Sequence, residues 1–415
     1  MRIAPIEEPA IRILMLNYEF PPFGGGTGRA CAGLLQELRK RPGLEIDLVT
    51  SGPEETVERP AGRANLVKHR LDIAKRSPDY WTAAELTRWA LRAFWRSRRL
   101  LGERRYSLIH CWGGWPAGMV GWALPGQLPM LIAMRGSDVP GYNERTGRLD
   151  PLVFRPLVRR VWRRANKLLA VSQTLRALAL RTWPEAEIEV LPNGIDAARF
   201  RPRLGAVGRR IVFVGRLIPR KGVAYLITAV GRLAPRFPDV ELTIIGDGPA
   251  RAELEAQAAA SPAADRIRFT GRLRRDALDR ELEAADLFVL PALQEAMSNA
   301  ALEAMAASLA VVTTATGVAE LIDGNGAVVP AAETEALVEA LARYCTDPER
   351  LLAHRRRSRE LSLDMSWQRL ASRYHAIYAE MLAGRPAVSP RPPPRSEQCD
   401  PFPSDPAATD RPAPQ

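Results

Sequence analysis

Residues 286–314 read DLFVLPALQEAMSNAALEAMAASLAVVTT. The apolar run 287–290 ends at Pro291, an alanine-rich helix-forming run begins behind Ser298, and a second apolar run closes the stretch. Strand, loop, helix and strand in this order make a βαβ unit, so the sheet is expected to be parallel and covered by helices. Ser298 is the expected N-cap. Glu295 then lies in the strand-to-helix loop, and Glu303 lies one to two turns inside the helix. In an open parallel sheet that loop sits at the carboxyl end of the strands, where ligands bind, and the helix start offers N–H groups to an anion. Two carboxylates beside an anion site suit a ligand with both phosphates and hydroxyls. Taken alone, either glutamate reads as a solvated helix-flank charge.

The same alternation extends in both directions. Strand signals stand at residues 11–16, 46–50, 108–111, 130–133 and 168–171. A second series, RRIVFVGRL, VELTIIG, RIRFTG, DLFVLP and LAVVTT, runs from Arg210. Helical stretches separate them, which predicts an α/β chain of two doubly wound, Rossmann-like domains. A length of 415 residues with 46% hydrophobic residues suits two cores. The expected division is 1–203, a Pro/Gly-bearing linker, and 208–365. An amphipathic helix follows at about 366–383, then a tail at 385–415 holding ten of the 35 prolines, which is expected to be disordered.

Cys31, Cys111, Cys345 and Cys399 are scattered, without a CxxC pair, which disfavours a disulfide framework or a zinc site. The first apolar run is interrupted by Arg12 and too short for a signal sequence, so a cytoplasmic protein is expected. Residues 111–134 carry no charge, but Pro116, Pro125 and Pro129 divide them into a short helix near 117–124 and a strand near 130–134. That reads as soluble core rather than a membrane span.

Two loops carry further chemistry. A glycine-rich turn, FPPFGGGTGRA at 20–30, follows the first strand without Walker or GxGxxG spacing; a merely structural turn fits it equally well. VGRLIPRKG at 214–222 places Arg216 at a strand end and Arg220 and Lys221 before the next helix. Such cations can neutralise a diphosphate leaving group, and no DxD occurs anywhere, so no metal is expected.

Six motifs now stand in order: Pro21, Pro22, Gly25 and Gly26 as PPxxGG; RGSDVPG at 135–141; LPNGIDAARFRP at 191–202; GRLIPRKG at 215–222; GDGP at 246–249; and Glu295 with Glu303 as E-x7-E. Together they resemble the family-4 retaining glycosyltransferases of GT-B architecture, over nearly everything from Arg12 to about Leu382. The resemblance implies two Rossmann-like domains facing a central cleft, with the C-terminal helix packing back on the first. It implies that Arg216 and Lys221 hold the diphosphate of a nucleotide sugar, that Glu303 accepts ribose hydroxyls and that Glu295 contacts the donor sugar. Met297, Ser298 and Asn299 would meet the phosphates, and Gly25 and Gly26 would close over the donor. The nucleotide sugar, a UDP- or GDP-sugar, is then a co-substrate and no cofactor is implied. The chain departs from the common pattern at Arg135, where many members carry histidine. Arginine cannot act as a base there, although it can donate hydrogen bonds to a sugar or phosphate oxygen. Asp138 either orients Arg135 or serves a turn.

Charge suggests the acceptor side. Residues 88–105 and 155–167 each carry a net +6, together equal to the whole formal charge of +12. Trp89, Phe94, Trp95 and Trp162 interleave with the arginines. The stretches are expected to rest on an anionic membrane surface, which favours a glycan or lipid-linked acceptor and a peripheral location on the inner face. Solvated arginines backing core aromatics are the plainer reading. No nucleic-acid recognition motif accompanies the charge. A glycosidase could use the two glutamates but would leave Arg216 and Lys221 without an anion. A GT-B sugar-nucleotide epimerase or a non-catalytic nucleotide-sugar-binding protein is the second reading.

Overall fold

The computed structural model describes residues 11–59, 65–75, 77, 80–142, 153–201, 205 and 208–383. The proline-rich tail and most of the linker at 202–207 lie outside the described residues.

Strand β1 (Ile11–Leu16) lies between β2 (Leu44–Gly52) and β5 (Leu108–Trp112) in an eight-stranded sheet of order β3-β4-β2-β1-β5-β6-β7-β8, in which β7 is Lys167–Ala170. Its pairings are parallel except that between β3 (Thr56–Glu58) and β4 (Leu66–Asp72). A second sheet of six parallel strands has the order β11-β10-β9-β12-β13-β14, with β11 (Ile267–Gly271) at one edge and β9 (Arg210–Val214) between β10 (Glu241–Ile245) and β12 (Leu287–Leu290). Strand order reverses at β1/β5 in one sheet and at β9/β12 in the other, and such switch points open a crevice at the carboxyl ends of the strands. The Gly-rich turn, Arg216–Lys221 and Glu295 all lie there.

Every residue of β5, β12 and β13 (Ala310–Thr314) is buried, as two-sided cover requires. Residues 111–134 pass from β5 through an irregular turn (Gly114–Gly118) and helix α3 (Met119–Ala123) into β6 (Met130–Met134). Among the described residues no helix is long and apolar enough to cross a membrane.

Strands β3, β4, β8 (Ile188–Val190) and β14 (Gly326–Val329) escape sequence reading. The cause in β4 is its charge: Lys68 and Arg70 pair with Glu58 on β3, and His69 meets Asp47 on β2 at 2.8 Å. Cross-strand partners make these residues tolerable where alternation alone argues against a strand.

The last helix, α12 (Trp367–Leu382), packs against α1 (Gly26–Leu38) beneath the first sheet. Leu370, Ala371, Tyr374, Ile377 and Tyr378 share one core cluster with Ile13, Met15 and Leu34. Tyr378 also bonds His110 of β5 at 2.8 Å, and burial holds that imidazole well below its usual pKa, hence neutral.

Of the aromatics among the basic stretches, Trp89 on α2 (Ala83–Glu103) and Trp162 on α4 (Arg155–Arg164) are fully buried, and Phe94 is half-buried. Trp95 is 63% exposed, so only it joins the arginines on the surface. Arg92 and Arg96 both pair with Glu55, and Arg99 pairs with Glu103.

Candidate functional site

The strand ends are drawn together by backbone packing. Gly222 has φ +68°, and a Cβ there would stand 1.9 Å from the Pro291 carbonyl oxygen, so a side chain is excluded. The Leu293 N–H donates to the Arg220 carbonyl at 2.8 Å. This close approach lays the loop after β9 against the loop after β12. It brings Lys221 Nζ to Glu295 Oε2 as an ion pair, with side chains only 12% and 11% exposed. The two expected site residues therefore occupy each other. The Arg216 side chain is exposed and has no hydrogen-bond or ion-pair partner among the described residues, while its charge acts on Glu19 and Tyr142.

Arg220 lies over the Tyr142 ring at 5.1 Å, and the Tyr142 hydroxyl accepts the Ala296 N–H at 3.1 Å. Burial, reinforced by the Glu295 carboxylate, pushes Tyr142 up to about 12, so it stays neutral. Tyr142 thus ties the first half of the chain to the Glu295 loop. Beside it lies a cavity of about 340 Å³, bordered by Tyr142, Leu175, Leu178, Arg181 and Glu295.

Helix α9 (Asn299–Ala306) starts behind Ser298, whose hydroxyl takes the Ala301 N–H at 3.3 Å. The N–H groups of Asn299 and Ala300 make no bond among the described residues and remain at the positive helix end. Met297 is half-buried against the cores of both sheets. The Asn299 amide donates to the Gly26 carbonyl at 2.9 Å and accepts from Asn193 at 2.8 Å.

That chain of bonds continues to Arg135, whose Nη1 donates to Asn193 at 2.8 Å and whose Nη2 donates to the Tyr374 hydroxyl at 3.0 Å. The guanidinium stacks on Trp112 at 3.7 Å. Both terminal nitrogens of Arg135 thus already have protein partners. Asp138 is buried and accepts the backbone N–H groups of Gly114, Arg135 and Gly136 at 2.7, 2.8 and 2.9 Å. Of its two expected roles, these contacts are those of the turn: it fixes the loop and not the arginine side chain.

Glu303 is buried in α9 and meets Arg199 Nη2 at 3.4 Å. The Gly-rich turn wraps Glu19, which accepts the Gly25 N–H at 3.2 Å. A Cβ on Gly28 would lie 3.2 Å from the Glu19 backbone, so that glycine serves the approach of Glu19. Desolvation raises the Glu19 pKa, offset by the Gly25 bond and by the nearby Arg216 charge. Gly25 has open space around its Cα, while Gly26 faces Asn299.

Sequence reading missed Tyr142, Asn193, Arg199, Glu19 and Tyr374. Asn193 and Arg199 stand within the quoted LPNGIDAARFRP motif, which was a usable signal. Tyr374 had none, because its role depends on where α12 docks.

Residues 24–199 match the family described as Glycosyltransferase Family 4, and residues 208–347 match Glycosyl transferases group 1. The chain is 28% identical over 398 residues to the GDP-mannose-dependent alpha-(1-6)-phosphatidylinositol monomannoside mannosyltransferase of Mycolicibacterium smegmatis, covering 90% of this chain and 98% of that protein. Its counterpart of the same description in Mycobacterium tuberculosis is 30% identical over 305 residues, covering 67% and 77%. Among solved structures, sucrose-phosphate synthase from Thermosynechococcus elongatus matches with a TM-score of 0.76 at 21% identity, over 90% of this chain and all of that one. The two parallel sheets agree with that likeness, and the chain belongs to the family-4 glycosyltransferases of GT-B fold.

Proposed function

We propose that the chain transfers a hexosyl residue, with retention of anomeric configuration and without a metal, from a GDP- or UDP-sugar to a glycan or lipid-linked acceptor. The observation that carries this reading is the Lys221–Glu295 pair, in the loops after β9 and β12 that also hold Arg216, unpaired among the described residues, and lead into the start of α9. A diphosphate fits between Arg216, Lys221 and the N–H groups of Asn299 and Ala300, where cations and a helix end stabilise the charge that develops on the leaving group. Glu303 accepts the ribose hydroxyls and Glu295 those of the donor sugar. The leaving phosphate takes the acceptor proton, so the protein contributes position and charge rather than a strong base. Arg135 holds Asn193 and, through it, Asn299, which makes it a support of the phosphate end. GDP-mannose is the first donor to try, because relatives aligned over most of the chain are described as GDP-mannose-dependent.

Residues 88–105 and 155–167 are assigned to an anionic lipid surface at the inner face of the cell membrane, with Trp95 as the one exposed aromatic among them. Domain boundaries at about 203 and 208, with the 366–383 helix returning to the first domain, complete the reading.

The test is calorimetry of UDP, GDP and ADP in EDTA, followed by product analysis of the anomeric linkage with the donor whose nucleotide binds. Tight binding of one nucleotide, then an acceptor-dependent product of unchanged anomeric configuration, is expected. Donor turnover to an isomer with no acceptor present would show an epimerase instead.

A further inference from the structure

The turn Ala197–Arg199, between the two sheets, carries a motif residue to which the proposed reaction assigns no role. Arg199 clamps Asp279 of α8 (Arg275–Ala284) side-on, with Nε on Oδ2 at 2.7 Å and Nη2 on Oδ1. The second N–H of Nη2 lies on the Nη1–Nη2 edge of the planar guanidinium, and Glu303 Oε1 is 3.4 Å from Nη2. Nη1, the other tine of that edge, is buried and has no hydrogen-bond partner among the described residues.

The position is held from several sides. Phe200, 2% exposed, lies under the guanidinium at 4.5 Å. Arg359 Nη1 bridges the Ala197 carbonyl and the Ala306 carbonyl, each at 2.6 Å, tying this turn to the end of the helix that bears Glu303. A buried donor without a partner is costly unless a ligand completes it.

We infer that Arg199 is a specificity-determining residue of the donor site: its free Nη1 donates to a ribose hydroxyl that itself donates to Glu303, so the pair reads ribonucleotides against deoxyribonucleotides. The inference rests on the reading of Glu303 as the ribose carboxylate. A hydroxyl seated there satisfies both groups at once, giving its proton to Glu303 and offering an oxygen lone pair to Nη1. An analogue lacking that hydroxyl leaves both Nη1 and part of the carboxylate unpaired, and a site built to bond a hydroxyl discriminates strongly against its absence. The clamp by Asp279 matters because it aims the free tine; a lysine here keeps the charge and has no fork.

The experiment measures the affinity of the full chain, by calorimetry, for whichever of UDP, GDP and ADP binds, and for its 2′-deoxy and 3′-deoxy forms. Wild type, Arg199→Lys, Asp279→Asn and Glu303→Ala are compared, with a thermal melt of each. Wild type is expected to prefer the ribonucleotide over at least one deoxy form by about tenfold or more. In Arg199→Lys that ratio falls to about threefold or less, because the ribonucleotide weakens while the deoxy form does not. Asp279→Asn gives an intermediate ratio and keeps the test open if the lysine variant does not fold. An unchanged ratio, or parallel weakening of both nucleotides, would overturn the role of Arg199 while leaving the donor site standing. Absence of binding by all three nucleotides, or unaltered binding in Glu303→Ala, would overturn the ribose site itself.

Discussion

Replacing Lys221 by Met leaves the Glu295 carboxylate, 11% exposed, without its cation. Breaking a fully buried pair from one side costs about 3–5 kcal/mol. These side chains open onto a cleft, so water relieves part of that cost and about 2 kcal/mol is expected. Glu295→Gln strands the lysine instead, at a similar or smaller cost because ammonium on a long stem reaches solvent more easily. The double variant Lys221→Met/Glu295→Gln leaves no unpaired charge, and its loss should fall short of the sum by about 1–2 kcal/mol. Urea titrations of the four proteins at low and high salt measure that coupling. Arg232–Glu335, with side chains 53% and 64% exposed, is the control and should couple weakly and vanish in salt. Additivity of the Lys221 and Glu295 variants within about 0.5 kcal/mol would refute the claim that the two charges are partners. In the same proteins nucleotide affinity should fall with Lys221→Met and hold with Glu295→Gln, since the glutamate is assigned to the sugar.

Glu303→Ala should weaken nucleotide binding by about 1.5–3 kcal/mol, the worth of hydrogen bonds to a charged group, read by calorimetry. Asp286, fully buried, holds Arg210 at 3.0 and 3.2 Å and Arg355 at 3.2 Å, so Asp286→Asn should cost about 3–5 kcal/mol of stability in urea, far more than loss of a surface pair. The neutral His110 gives a pH dependence: above about pH 6.5 neither state binds its proton, whereas below that value the unfolded chain alone does. Stability should therefore fall with acidification from pH 6.5 downward, and His110→Gln should flatten the slope by up to about 1.4 kcal/mol per pH unit. Raised carboxyls such as Glu19 act with the opposite sign, so the difference between the two proteins is the readout. Flotation with anionic vesicles should bring the chain up and neutral vesicles should not; Trp95→Ala should reduce recovery, and equal partitioning in both would remove the electrostatic surface.

The local code of this chain was sufficient for its apolar strands and for the start of α9, but not for β3, β4, β8 and β14. Apolar runs that end at glycine or proline mark β5, β9, β10 and β12, and mostly apolar runs without that stop mark β1, β6 and β13, because burial on both faces favours apolar side chains along the whole strand. Ser298 declared a helix start by a bond that spans only three residues, and the order of motifs placed both glutamates in a cleft-facing loop and helix. The tertiary structure alone decided what those residues touch. Glu295 meets Lys221 across 74 positions, Arg135 meets Tyr374 across 239, and Asn299 meets Gly26 across 273. Charged β4 became a strand through partners on two neighbours, and most of the aromatics beside the arginines turned inward. Helical and strand periodicity reports which face of an element is apolar, since local backbone geometry fixes the direction of successive side chains. Pairing of charges and amides is set by how two sheets close on each other, and no local pattern encodes that distance.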